Sequence, residues 1–247
     1  MPDPELCLSL DELSWSDVAG HLASEPRLII PVGALEQHGP HLPLGTNVLI
    51  ARQVAIDLSR EFGILRAPTF SYGVNVPSER VFAGTASLSK KVLHKALNQL
   101  LSSWESHGVQ EFILLTAHRH EPHESALAAL LTEFARVRVV QVWDVEVSDL
   151  LEAQPAPLHG GEAETSVMLH LYPELVRMER ARDYQPAPAE FRRYLRGDLA
   201  KPPSGSAGVM GKPSAASADK GERIYGRIVD VLRRRVFGRG DEESDTL

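Results

Sequence analysis

The chain has 247 residues, 43% hydrophobic and 24% charged, a balance that suits one α/β domain of ordinary size. Its formal net charge of −7 excludes the broadly basic surface that nucleic-acid binding requires. A lone cysteine, Cys7, rules out an intrachain disulfide, no apolar run nears the roughly 20 residues that span a bilayer, and "MPDPELCLSL" lacks the features of a secretory signal, so a cytoplasmic location is expected.

"RLIIPVG" (27–33) is a short apolar run bounded by glycine, the pattern of a buried strand. In residues 47–63, Leu49, Ile50, Val54, Ile56 and Leu58 recur at helical spacing, and Gly63 stands where a helix stops. Residues 64–73 read as a second strand and loop. The stretch 89–108 is the clearest helix: Val92, Leu93, Ala96, Leu97, Leu100, Leu101 and Trp104 form one stripe, with Ser89 able to cap it. A strand over 111–118 enters a histidine-rich turn, followed by a helix over 123–137 and a strand over 137–145. Residues 161–176 begin as a helix. The Pro-, Arg- and Gly-rich stretch 181–212 reads as an extended excursion, 214–238 holds a last helix, and 239–247 is an acidic tail expected to be disordered. Alternating strands and helices predict a layered α/β fold with a largely parallel sheet, in one domain over 1–238.

Ligands in such folds sit beyond the carboxyl ends of the strands. Two predicted strands run straight into histidine-rich turns there. The first, "VGALEQHGPHLPLGTN" (32–47), holds Glu36, His38 and His41; in extended backbone Glu36 and His38 share a side and can share a cation. Asn47, just before a helix, has a plainer role as an N-cap. The second, "TAHRHEPHE" (116–124), holds His118, His120 and His123 with Glu121 and Glu124. Imidazoles at a strand end suit zinc, manganese, iron or nickel, although an acid in a first helical turn is favoured by the helix dipole alone. The third, "HGGEAETS" (159–166), places His159 beside Glu162 and Glu164, which reads equally as a proton-handling pair or as ordinary helix-start chemistry. No phosphate-binding glycine loop, dinucleotide fingerprint or G-x-S-x-G elbow is present.

The order of these clusters, with "YG…SERVFAGTASL" between the first two and "GVMGKPSAASADKGERI" after the third, resembles the creatininase family over about residues 27–235. The resemblance implies a three-layer αβα sandwich, often hexameric, and a metal-dependent hydrolase of a non-peptide C–N bond in a small amide or cyclic amide. It implies zinc or manganese as cofactor, one ion or two, and metal contacts from Glu36, His38, Asn47, His118 and His120. It implies His159 and Glu164 as the catalytic pair that contacts substrate and moves protons. The chain departs from the family pattern at Asn47, where the family carries a metal-bridging Asp. It departs again at His120, where creatininase has a ligand Glu, and at Glu79-Arg80, which replaces a common Glu-His. An alternative is therefore a member that keeps the scaffold as a binding or assembly protein without hydrolysis.

Overall fold

The computed structural model describes residues 8–238; Cys7 and the acidic tail lie outside that range. Four parallel strands, β1 (Arg27–Val32), β2 (Leu65–Arg66), β3 (Glu111–Thr116) and β4 (Arg136–Gln141), form one sheet in the order β2-β1-β3-β4. β1 and β3 run side by side from Arg27↔Glu111 to Val32↔Thr116.

Successive strand residues face opposite sides of the sheet, and both sides are apolar here. Leu28, Ile30, Val32, Phe112 and Leu114 pack with α1 (Trp15–Leu22), α3 (Lys90–Glu105) and α4 (Glu121–Ala128). Ile29, Ile113 and Leu115 pack with α2 (Thr46–Phe62), α5 (Glu162–Leu171) and α7 (Ala218–Leu232). The result is the predicted three-layer αβα sandwich. α2 ends at Gly63, whose φ of 64° is the left-handed conformation that a side chain disfavours.

Several elements are shorter than their sequence patterns. The helix expected over 123–137 stops at Ala128. Glu105, at the end of α3, accepts from the amides of Glu133, Phe134 and Ala135, and this carboxylate replaces helical partners for that backbone. The strand expected over 137–145 stops at Gln141, whose side chain accepts from Trp143 N and turns the chain. The second strand shrinks to two edge residues. The excursion is not wholly extended: Pro188–Leu195 forms a helix, α6, with Pro188 at its first position, where the missing N–H costs nothing. α1, capped by Ser14, had no clear sequence signal.

Candidate metal centre

α2 follows β1 on one face of the sheet, and α3 precedes β3 on the other. The carboxyl ends of β1 and β3 therefore flank the crevice where the connections part, the usual ligand position of an open α/β sheet. The turn after β1 delivers Glu36 and His38, and the turn after β3 delivers His118. The start of α5 adds His159 and Glu164.

Glu36 is the hub and is almost fully buried. Its Oε1 lies 2.9 Å from His118 Nδ1, 3.8 Å from His38 Nε2 and 3.9 Å from His159 Nδ1. Glu164 Oε2 lies 3.9 Å from His38 Nε2 and accepts from the Gly160 amide at 2.7 Å. One atom each of Glu36, His38 and His159 falls within 4.8 Å of the others. Separations near 4 Å exceed hydrogen-bond reach but match two ligands that each approach a common ion to about 2.0–2.2 Å.

The tautomers of two histidines are fixed by backbone carbonyls, which can only accept. His38 Nδ1–H donates to the Glu36 carbonyl at 3.0 Å, leaving Nε2 bare. His118 Nε2–H donates to the Val74 carbonyl at 2.9 Å, which leaves Nδ1 facing Glu36. Tying the far N–H to a carbonyl is how proteins orient metal-ligating imidazoles. Among the described residues, Glu36 Oε2, His38 Nε2 and Asn47 Oδ1 are buried with no hydrogen-bond partner. Each such orphan costs about 1–3 kcal/mol unless something satisfies it, and a cation held by Glu36 and His38 would serve theirs. The donor set of carboxylate and imidazole suits zinc or manganese.

The charges follow from the packing. Burial pushes the Glu36 carboxyl up, but His118, His159 and His38 together pull it well below its ordinary range. Burial opposes a charge on His118, yet the Glu36 carboxylate overrides it and raises the imidazole. Burial, with His38 nearby, lowers His159 to about 3. Burial raises Glu164.

The N-cap role that sequence favours for Asn47 is not what forms. Gly45 precedes α2, and Asn47 sits inside its first turn with its side chain aimed at the site. Its Nδ2 donates to Glu36 Oε1 at 2.8 Å and lies 3.1 Å from His118 Nδ1, so an amide N–H stands beside the hub. His120 is the residue before α4; its ring centroid is 6.3 Å from that of His118 and its Nδ1 is unpartnered. His123 is structural: it takes Val74 N–H on Nδ1 and faces the Thr116 hydroxyl with Nε2. His41 bonds the Thr165 hydroxyl at 2.9 Å and stays in the interior.

Four neighbours carried no strong sequence signal. Gln37 lies between the two residues flagged in the first turn and reaches the His159 ring. Glu79, wholly buried, meets the Gln37 amide and the Tyr194 hydroxyl, and burial together with Glu36 raises its carboxyl to about 8. Phe191 and Tyr194 arrive on α6, inside the stretch whose composition reads as irregular. With Val76, Trp143 and Leu195 they wall a cavity of about 210 Å³ over Glu36, His118, His159 and Glu164. Arg119 stands at its rim, half exposed and paired with Asp144 at 2.6 Å. A larger apolar cavity of about 520 Å³ lies between α1 and α3, but His107 is the sole titratable residue lining it, so the chemistry belongs to the smaller one.

A family model described as creatininase, creatinine amidohydrolase, matches residues 11–236. The creatinine amidohydrolase of Pseudomonas putida is 30% identical over 236 residues, covering 86% of this chain and 90% of that protein. The mycofactocin precursor peptide peptidase of Mycobacterium tuberculosis is 33% identical over 231 residues, covering 87% and 86%. Among solved structures, a manganese form of creatininase superposes with a TM-score of 0.76 at 26% identity, covering 93% of this chain and 98% of that one. A mutant creatininase in its zinc–zinc form gives 0.74 at 28% identity, with the same coverage.

Proposed function

Because the chain belongs to the creatininase family, we propose that it is a divalent-metal-dependent hydrolase cleaving a C–N bond of a small amide or peptide-like substrate. One observation carries the reading. Two imidazoles hand their far N–H to backbone carbonyls and turn their other ring nitrogens, with a buried carboxylate, toward one crevice. Glu36, His38 and His118 would hold the ion, with Asn47 and His120 at its margin.

A bound zinc or manganese supplies Lewis acidity toward the amide carbonyl. The rest falls to the chain's own residues. His159, neutral at physiological pH, lines the cavity and would donate a hydrogen bond to the substrate there. Glu164, steadied by the Gly160 amide and raised by burial, would take a proton from the attacking water and return it to the leaving nitrogen. Trp143, Phe191 and Leu195 exclude water and favour an apolar group on the substrate. Arg119 at the rim attracts a substrate carboxylate. A homo-oligomer, a hexamer by resemblance, and a cytoplasmic location belong to the same proposal.

The test is elemental analysis of chain purified without chelators, coupled to hydrolysis of creatinine and of short peptides with and without zinc or manganese. Stoichiometric metal and metal-dependent hydrolysis of either class are expected. A chain that takes up neither metal after soaking and cleaves nothing would favour the binding-protein alternative, which the N–H of Asn47 in place of a bridging carboxylate recommends.

A further inference from the structure

We propose that Gln37 is a positioning residue that fixes the ring proton of His159 on Nδ1, making His159 a hydrogen-bond donor beside the ion and not one of its ligands. The inference deepens the metallohydrolase reading and rests on it for its catalytic meaning.

The argument is one of donors and acceptors. The Gln37 side chain is buried and its amide is oriented from both ends. Its Oε1 accepts from the Gly39 amide at 2.7 Å, and that N–H can only donate. Its Nε2 donates to the Gly208 carbonyl at 2.8 Å, and that oxygen can only accept. The same nitrogen meets the Glu79 carboxyl group. A rotated amide would lose both backbone bonds. The approach also depends on Gly208 itself. Its φ is +87°, and a Cβ there would lie 1.9 Å from Gln37 Oε1.

The amide nitrogen so placed lies 3.0 Å from His159 Nε2. An amide NH₂ has two hydrogens and cannot accept: one goes to the Gly208 carbonyl and the other is shared between Glu79 and Nε2, so a proton on Nε2 would set donor against donor. Nε2 is therefore bare. The single proton of the neutral ring is on Nδ1, the atom 3.9 Å from Glu36 Oε1. This reverses the arrangement at His38, whose bare Nε2 faces the site and whose N–H faces away. His159 lies close enough to join Glu36 and His38 around an ion, but a protonated Nδ1 has no lone pair to give.

The experiment is ¹⁵N NMR of the histidine rings in the full chain, chelated and then zinc-loaded, with His159 assigned by its loss in His159→Gln. The expected pattern is Nδ1 protonated and Nε2 bare in both samples, while the His38 ring shifts on zinc addition. In Gln37→Glu the proton should move to Nε2, because a carboxylate accepts there. In Gln37→Ala the Nε2–H form should grow, and kcat should fall by roughly 10–100-fold with little change in KM, the usual cost of losing an outer-shell partner. Should Gln37→Glu fail to fold, the wild type and Gln37→Ala decide. Wild-type His159 protonated at Nε2, zinc displacing the proton from Nδ1, or a folded Gln37→Ala keeping the wild-type pattern would each overturn the proposal. Absence of zinc uptake with the tautomer intact would instead sink the metallohydrolase reading and leave the Gln37 assignment standing.

Discussion

Replacing Glu79 by Gln isolates the energetics of the buried site. Glu79 has no exposed surface, and burial together with the Glu36 charge raises its carboxyl to about 8. In the unfolded chain it titrates near 4.5. Between those values the folded state binds the extra proton, so stability falls as pH rises through the window and levels off above it. Each pH unit in the window is worth about 1.4 kcal/mol. From pH 5 to pH 8 the wild type should therefore lose up to about 4 kcal/mol relative to Glu79→Gln, which keeps the shape and has no proton to lose. Urea unfolding of both chelated proteins at pH 5, 6, 7, 8 and 9 reads this directly as a growing gap in midpoint at constant slope. A gap independent of pH would mean that the carboxyl titrates normally in the fold, and the account of a protonated Glu79 beneath His159 would be wrong.

Lys220, buried in α7, pairs with the wholly buried Glu162, which also accepts from the amides of Glu152 and Ala153. Lys220→Met should cost about 3–5 kcal/mol in urea unfolding by stranding that carboxylate, and a loss under about 1 kcal/mol would contradict the pairing. Arg119→Ala breaks an ion pair whose side chains are 50% and 68% exposed, so stability should change by less than about 1 kcal/mol. KM should rise about tenfold for a carboxylate-bearing amide and stay put for its neutral carboxamide, a loss of roughly 1.4 kcal/mol of binding; equal effects on both would remove Arg119 from substrate contact. Asn47→Asp exchanges an N–H donor beside Glu36 for a carboxylate, so it should enlarge the rise in Tm that zinc produces; an unchanged rise would place residue 47 out of the ion's reach.

The layering of the fold was legible because it depends on local pattern. The apolar runs of β1 and β3 and the stripe of α3 name their elements, and the two histidine-rich turns mark where the strands end. What sequence could not give was competition between partners. Nothing local says that Glu105 will take the amides of residues 133–135 and stop a helix early. Asn47 has a sound local reason to cap a helix, but the buried Glu36 carboxylate, eleven positions earlier, offers its amide a better partner. Tyr194 and Phe191 belong to a segment with no core periodicity, and only the folded chain returns them over the crevice. Glu79 was legible as a residue and not as a buried acid, because burial is a property of the assembled layers.

The charge inventory of the centre makes one demand on any cation that enters. Without metal, Glu36 is ionised and His118 is held toward its protonated form: burial opposes that charge, but the carboxylate 2.9 Å away overrides it. A proton on Nδ1 lies on the same line between Glu36 and His118 that a metal would use. Ligation needs the bare Nδ1 lone pair, since the far nitrogen is committed to Val74 O, so binding must expel that proton. Calorimetric titration of chelated chain with zinc at neutral pH, in buffers of different ionisation enthalpy, should report proton release on binding. The release should shrink as pH rises and His118 is already neutral, and Glu36→Gln should abolish most of it by removing the charge that holds the proton. A binding enthalpy indifferent to buffer would mean that the ion bypasses His118, and the centre would then have to be drawn from the β1 turn and α5 alone.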